Sequence, residues 1–126
     1  MAVDTPGVRL MVFLTEDDRS GHRSLSEALL ERAREDGMAG ATIWRGVEGF
    51  GSSGRLRTTR FSDVSIGLPL VLEVVDVAER VEAFLAVVTR LAPGALVTRE
   101  PVRLLRQQPA GAPPLDDPGP RTHGRP

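Results

Sequence analysis

The sequence predicts an α+β fold in which two helices cover one face of a four-stranded antiparallel sheet, and three observations predict it. Four segments are dominated by aliphatic and β-branched residues. Two segments between them repeat apolar residues at helical spacing behind capping residues, and the order along the chain is strand, helix, strand, strand, helix, strand. The chain has 126 residues, enough for one domain and one core.

Each element follows from local chemistry. Arg9 to Glu16 (RLMVFLTE) is an unbroken apolar run, the signature of a strand covered on both faces. Ser24-Leu-Ser-Glu27 is a capping box. It opens a first helix that places Leu25, Ala28, Leu29 and Ala33 on one side, and Gly37 supplies a left-handed residue to stop it. Ala41 to Glu48 alternates and suits a second strand, while Pro69 to Val75 (PLVLEVV) is a third, again almost wholly apolar. Asp76-Val-Ala-Glu79 reads as a second capping box, ahead of a helix with Val77, Val81, Phe84, Leu85 and Val88 along one stripe. Pro93-Gly94 ends that helix. Leu96 to Leu105 forms the fourth strand, and Pro101, which cannot donate to a ladder, confines it to an edge or a bulge.

This order is the split βαβ arrangement of the ferredoxin-like sandwich, with strands 1 and 3 central and strands 2 and 4 at the edges. Two helices cover only one face of such a sheet. Yet strand 1 sets Leu10, Val12 and Leu14 against Met11 and Phe13, and strand 3 opposes Leu70, Leu72 and Val74 to Val71 and Val75. Burial of Met11, Phe13, Val71 and Val75 is worth about 6–12 kcal/mol at about 1.5–3 per side chain. A homo-oligomer packed through the helix-free side is therefore expected. The competing arrangement, a loop or tail folded over this face, is disfavoured by the Gly, Ser and charge content of both.

Composition removes several classes of function. Sixteen basic residues, all arginine, balance seventeen acidic ones to a net charge of −1, which provides no field for nucleic acid. There is no cysteine, hence no disulfide, thiolate nucleophile or thiolate metal site, and no resident cofactor is expected. Met1 to Gly7 contain Asp4 and Pro6 in place of an apolar run, and no stretch is long and apolar enough to enter a membrane, so a cytoplasmic protein is expected. The folded domain is expected over residues 8–107. Residues 108–126 hold six of the ten prolines and a single large apolar residue, Leu115, so a disordered Pro/Gly-rich tail is expected there.

The functional signal lies between strands 2 and 3. The connection from Gly49 to Gly67 has 19 residues where a hairpin needs two to five. Its glycines let backbone amides approach an anion, and Gly49, Gly51, Ser52, Ser53, Arg55, Arg57 and Thr58 form the candidate ligand-binding set, with Arg60 as a further donor. The other reading of the residues is a hairpin arm kept soluble by Gly and Ser and pinned to a neighbour by Leu56 and Phe61. Glu16-Asp17-Asp18-Arg19 suits a solvated turn better than a metal site, and no metal ligands are assigned. His22 has no nucleophile beside it and reads as a surface or capping residue, so no catalytic residue is assigned. Trp44 on an edge strand suits a helix or subunit contact.

Several stretches together resemble a known family: Asp18-Arg19-x-Gly21, Leu25-x-Glu27-Ala28, Ala39-Gly-Ala-Thr-Ile43 with Arg45-Gly46 and Gly49-Phe50-Gly51, Leu68 to Asp76, and Leu96-Val97-Thr98. They look like domain-of-unknown-function family 190 over about Arg9 to Arg106, a bacterial family similar to the PII signal-transduction proteins. The resemblance implies a homotrimer with sheets facing inward, and a loop after strand 2 that contacts effectors and protein partners. It also implies a link to fluoride-exporting membrane channels. The chain departs from the family's common Pro-Leu-Tyr at Ser24-Leu25-Ser26 and from its Ile-His-Thr at Leu56-Arg57-Thr58.

The function expected from residues and resemblance together is that of a non-enzymatic PII-like sensor. It binds a small anionic effector, a nucleotide among the candidates, in clefts between subunits and signals through residues 49–67 to a partner such as a channel. The alternatives are a ligand-free accessory docking on a membrane channel and a small enzyme of unknown chemistry.

Overall fold

Alternation along two apolar strands decides where everything else goes. In the computed structural model, which describes residues 2–60 and 67–107, the elements in chain order are β1 (Ala2–Thr15), β2 (Arg19–Ser20), β3 (Arg23–Ser24), α1 (Leu25–Glu35), β4 (Gly40–Arg45), β5 (Glu48–Gly49), β6 (Arg57–Thr58), β7 (Pro69–Asp76), α2 (Ala78–Leu91) and β8 (Leu96–Gln107). The main sheet is antiparallel throughout in the order β4-β7-β1-β8, the ferredoxin-like topology, with the two apolar strands at its centre. The expected tail over 108–126 and Phe61 lie outside the described residues.

The register explains the core. Val12 stands opposite Leu72 on one side and Val97 on the other, and Ile43 continues the row across β7. Leu10, Val12, Leu14, Leu70, Leu72 and Val74 thus share one face, where they meet Leu25, Leu29 and Ala33 of α1 and Val81, Phe84 and Val88 of α2, all buried. α1 begins as its box predicts, with the Ser24 hydroxyl accepting from the Glu27 amide at 3.2 Å, and Gly37 follows its end at φ +66°.

Three local expectations are corrected. Asp76 does not cap α2; Val77 holds that position without a side-chain bond. The buried Asp76 carboxylate instead accepts from the Val77 amide (2.7 Å), the Ala39 amide (2.9 Å) and Arg80 Nε (2.9 Å), so it ties the end of β7 to the turn before β4. Second, β4 ends at Arg45 and not at Glu48. The Gly46 amide makes the last rung to the Pro69 carbonyl (2.8 Å), and Pro69 has no N–H with which to extend the ladder. Third, β1 runs from Ala2 to Thr15, ahead of the expected start at Arg9. Pairing with β7 stops at Val8–Asp76, but pairing with β8 continues to Ala2–Gln107, and the extra residues form a two-stranded ribbon. Gly7 permits this, because a Cβ there would lie 2.6 Å from Leu104 Cγ.

The helix-free face carries the rows Gly40-Val75-Arg9-Glu100, Thr42-Glu73-Met11-Thr98 and Trp44-Val71-Phe13-Leu96. Met11, Phe13, Val71 and Val75 are half-buried, and Trp44 is 57% exposed. This face is not uniformly apolar: Arg9 pairs with Glu73 (3.6 Å) and with Glu100, and Trp44 Nε1 donates to Glu73 (3.3 Å).

Candidate functional site

β5 and β6 pair Glu48 with Thr58 and Gly49 with Arg57, so the long connection leaves the sheet as a small hairpin arm. A turn closes its tip, where the Gly54 amide reaches the Gly51 carbonyl (2.9 Å), and Arg60 pairs with Glu48 at its base. The arm lies tight on the start of β7, since a Cβ on Gly49 would sit 3.2 Å from Pro69 Cγ. Between the arm and the end of the sheet is a cleft of about 380 Å³.

Six parts of the chain build the cleft. The end of β1 contributes Phe13, Leu14 and Thr15, and the following turn Asp18 and Arg19. The arm contributes Gly49 to Ser53 and Arg57, and the α2–β8 connection contributes Leu91 to Ala95. Leu25, the first residue of α1, and Pro69-Leu70 of β7 complete it. Phe13 and Pro69 belong to the helix-free face and Leu14 and Leu70 to the covered one, so the cleft straddles the end of the sheet. α1 begins and α2 ends here. Their end charges oppose one another, which leaves the charged side chains to set the sign of the site: the Asp18 carboxylate and two guanidinium groups, those of Arg19 and Arg57.

Those two are held differently. Arg57 is largely buried, with its side chain 15% exposed; its Nη1 donates to Asp17 Oδ2 (2.7 Å) and to the Gly67 carbonyl (3.2 Å). Gly67 suits this contact, because its φ of +56° is left-handed and a Cβ there would meet the ends of the Arg57 and Asp17 side chains. Arg19 is exposed and has no ion-pair partner among the described residues. Phe50, 74% exposed, stands at the mouth with its ring available for stacking.

The structure brings together five of the seven residues expected to bind ligand: Gly49, Gly51, Ser52, Ser53 and Arg57 line the cleft. Arg55 and Thr58 do not. Arg55 is exposed toward the tip, with its amide on Ser53 Oγ (3.3 Å), and Thr58 Oγ1 accepts from the Arg60 amide (3.0 Å). The acidic turn after β1 is structural in detail. Glu16 accepts from the Leu68 amide (2.9 Å) and pairs with Arg45 (3.3 Å), and Asp18 accepts from the Thr15 amide (2.8 Å). Sequence reasoning missed Arg19 and Phe50 as lining residues, although both stand within the Asp18-Arg19-x-Gly21 and Gly49-Phe50-Gly51 patterns.

Comparison with known proteins gives a family and a fold. The sequence profile of domain-of-unknown-function family 190, described as an uncharacterized ACR, matches residues 7–104. A UPF0166 protein of Aquifex aeolicus is 32% identical over 96 residues, covering 76% of this chain and 90% of that protein. A UPF0166 protein of Methanocaldococcus jannaschii is 28% identical over 76 residues, covering 60% and 69%. Among solved structures, the fold resembles CPII, a nitrogen regulatory PII-like protein from Thiomonas intermedia bound to ADP, AMP and bicarbonate. The TM-score is 0.60 at 19% identity, over 82% of this chain and 92% of that one. It also resembles a putative PII-like signaling protein from Thermus thermophilus, with a TM-score of 0.54 at 20% identity over 82% and 91%.

Proposed function

The chain belongs to domain-of-unknown-function family 190 and has a PII-like fold, and we propose on that footing that it is a cytoplasmic, non-enzymatic sensor. It assembles as a homotrimer through the helix-free face and binds a small anionic effector in a cleft completed between subunits. The observation that carries this reading is the position of the cleft. Its lining includes Phe13, which also stands in the row Trp44-Val71-Phe13-Leu96 on the helix-free face, so a second copy seated on that row would border the ligand.

A nucleotide is the favoured effector. Arg19, Arg57 and the Ser52 and Ser53 hydroxyls suit a phosphate, and the exposed Phe50 ring suits a base. The similar CPII is bound to ADP, AMP and bicarbonate, which makes those three the first compounds to assay. A ligand that binds only the assembled form, at 100 times its dissociation constant, adds about 2.7 kcal/mol of stability per site. Thermal-shift titration with ADP, AMP and bicarbonate should raise Tm for at least one. Sedimentation should give three times the chain mass, and a monomer at micromolar concentration with no shift for any of the three overturns the proposal.

The arm at 49–67 carries the signal to a protein partner, for which the family resemblance supports a fluoride-exporting membrane channel. A second reading, a ligand-free accessory on the same channel, draws on Val47, Phe50 and Leu56, which are 77%, 74% and 52% exposed. Equal co-purification with the channel in the presence and absence of nucleotide would favour it.

A further inference from the structure

We propose that Asp17 is a built-in competitor for the cleft: an oxyanion that occupies it takes Arg57 from Asp17, and in doing so loosens the arm from the body of the sheet. The inference rests on the ligand-binding reading above and specifies how that site responds.

Of the two guanidinium groups lining the cleft, Arg57 is already engaged. Its Nη1 holds Asp17 at 2.7 Å and the Gly67 carbonyl at 3.2 Å. Asp17 itself is anchored only lightly, by a side chain 54% exposed on the turn after β1, and its carboxylate is the same kind of acceptor that a phosphate or carbonate oxygen would offer. An incoming oxyanion therefore meets Arg19 without an ion pair to break, and to bond Arg57 through Nη1, whose two N–H groups are taken by Asp17 and Gly67, it displaces Asp17.

The exchange reaches beyond the site because of where the two partners sit. Arg57 is on β6 of the arm, whereas Asp17 follows β1 at the centre of the main sheet. Gly67 marks the return of the chain to β7, and a Cβ there would overlap the ion pair, so the three groups form one close contact. Glu16, one residue before Asp17, holds the next amide, Leu68, from the other side (2.9 Å) and stays in place when Arg57 moves. Ligand and latch thus compete for one guanidinium. Binding at the cleft is exchanged for a tie between arm and sheet, which is what a sensor with a signalling arm requires.

The test uses the full chain, Asp17→Asn, Arg57→Gln and the double variant, with ADP and bicarbonate titrated separately by calorimetry. Asp17→Asn should bind whichever of the two the wild type binds about three- to tenfold more tightly. Arg57→Gln should bind it more weakly, and the double variant should match Arg57→Gln, because Asp17 acts only through Arg57. Unchanged affinity in Asp17→Asn, or a gain that survives in the double variant, overturns the proposal while leaving the binding site intact. Without ligand, amide exchange over residues 55–58 and at Gly67 should accelerate in Asp17→Asn. Unchanged exchange overturns the latch whatever binds, and faster exchange with no binding of ADP or bicarbonate to any variant overturns the competition together with the functional reading beneath it.

Discussion

The two faces of the sheet are built from alternate residues of the same strands and obey different rules. On the helix-covered face, Leu10, Val12, Leu72 and Val74 are fully buried at the centre of their rows. On the helix-free face, one position away, Met11, Phe13, Val71 and Val75 are half-buried and share the surface with Arg9, Glu73 and Glu100. The covered face is complete within one chain. The free face carries half-buried apolar side chains beside a charged cluster, and the proposed contact with a second copy would have to cover both.

Neighbouring residues of β7 can break the comparison. Leu72→Asp places a carboxylate where the wild-type side chain has no exposure. The lost leucine costs about 2–5 kcal/mol and the unpaired buried charge several more, against a total stability of about 5–15 kcal/mol for a domain. No cooperative thermal transition is expected, and a well-folded Leu72→Asp protein would contradict the assigned core. Val71→Asp, on the opposite face, should leave the monomer folded with near-native circular dichroism. It should abolish assembly in sedimentation at micromolar concentration, because it puts like charges together in the proposed contact between copies. Were Val71→Asp to stay assembled, the interface would lie elsewhere.

That contrast also explains what was legible in the sequence. Period-two alternation in β1 and β7 gave the topology, the central strands and both apolar faces, because side-chain direction in a strand follows from counting. The capping box at Ser24 was legible because its bond is local. Asp76, by contrast, matches the same pattern, yet its carboxylate is spent on Ala39, 37 residues away, and no spacing rule reports such a partner. For the same reason the candidate site was half-read. Gly49, Gly51, Ser52, Ser53 and Arg57 stood out as a long polar connection, but the Arg57–Asp17 pair joins positions 40 apart, and Arg19 enters the cleft from a turn that reads as merely solvated. The ribbon of residues 2–7 was hidden by Pro6 and Gly7, which argue against a strand unless its partner is known to be at an edge.

Arg9 sharpens the comparison with a smaller effect. In the isolated chain its ion pairs are partly exposed, at 38% for Arg9 against 22% for Glu73 and 50% for Glu100, and exposed pairs contribute little, about 0–1 kcal/mol. Arg9→Met should therefore shift the unfolding free energy of the monomeric Val71→Asp background by less than about 1 kcal/mol. In the proposed assembly the same change leaves Glu73 and Glu100 without their shared counter-ion in a contact that excludes water, and association should weaken at least about tenfold. An equal effect on both would mean that the charged row remains in solvent.

The gentlest probe is Trp44, the only tryptophan of the chain. It stands on β4 at the end of the row that continues through Val71 and Phe13 to Leu96, and its ring is more than half exposed in a single chain. Trp44→Phe keeps a ring in the row and removes only the bond to Glu73, so folding should change by less than about 1 kcal/mol. The wild-type indole is then a reporter. Its emission should be blue-shifted in the assembled protein, where the ring leaves water, and red-shifted in Val71→Asp, where the helix-free face is open. Emission that is identical in the two proteins would mean that Trp44 never leaves water, and the row it terminates would lose its claim to be the contact between copies.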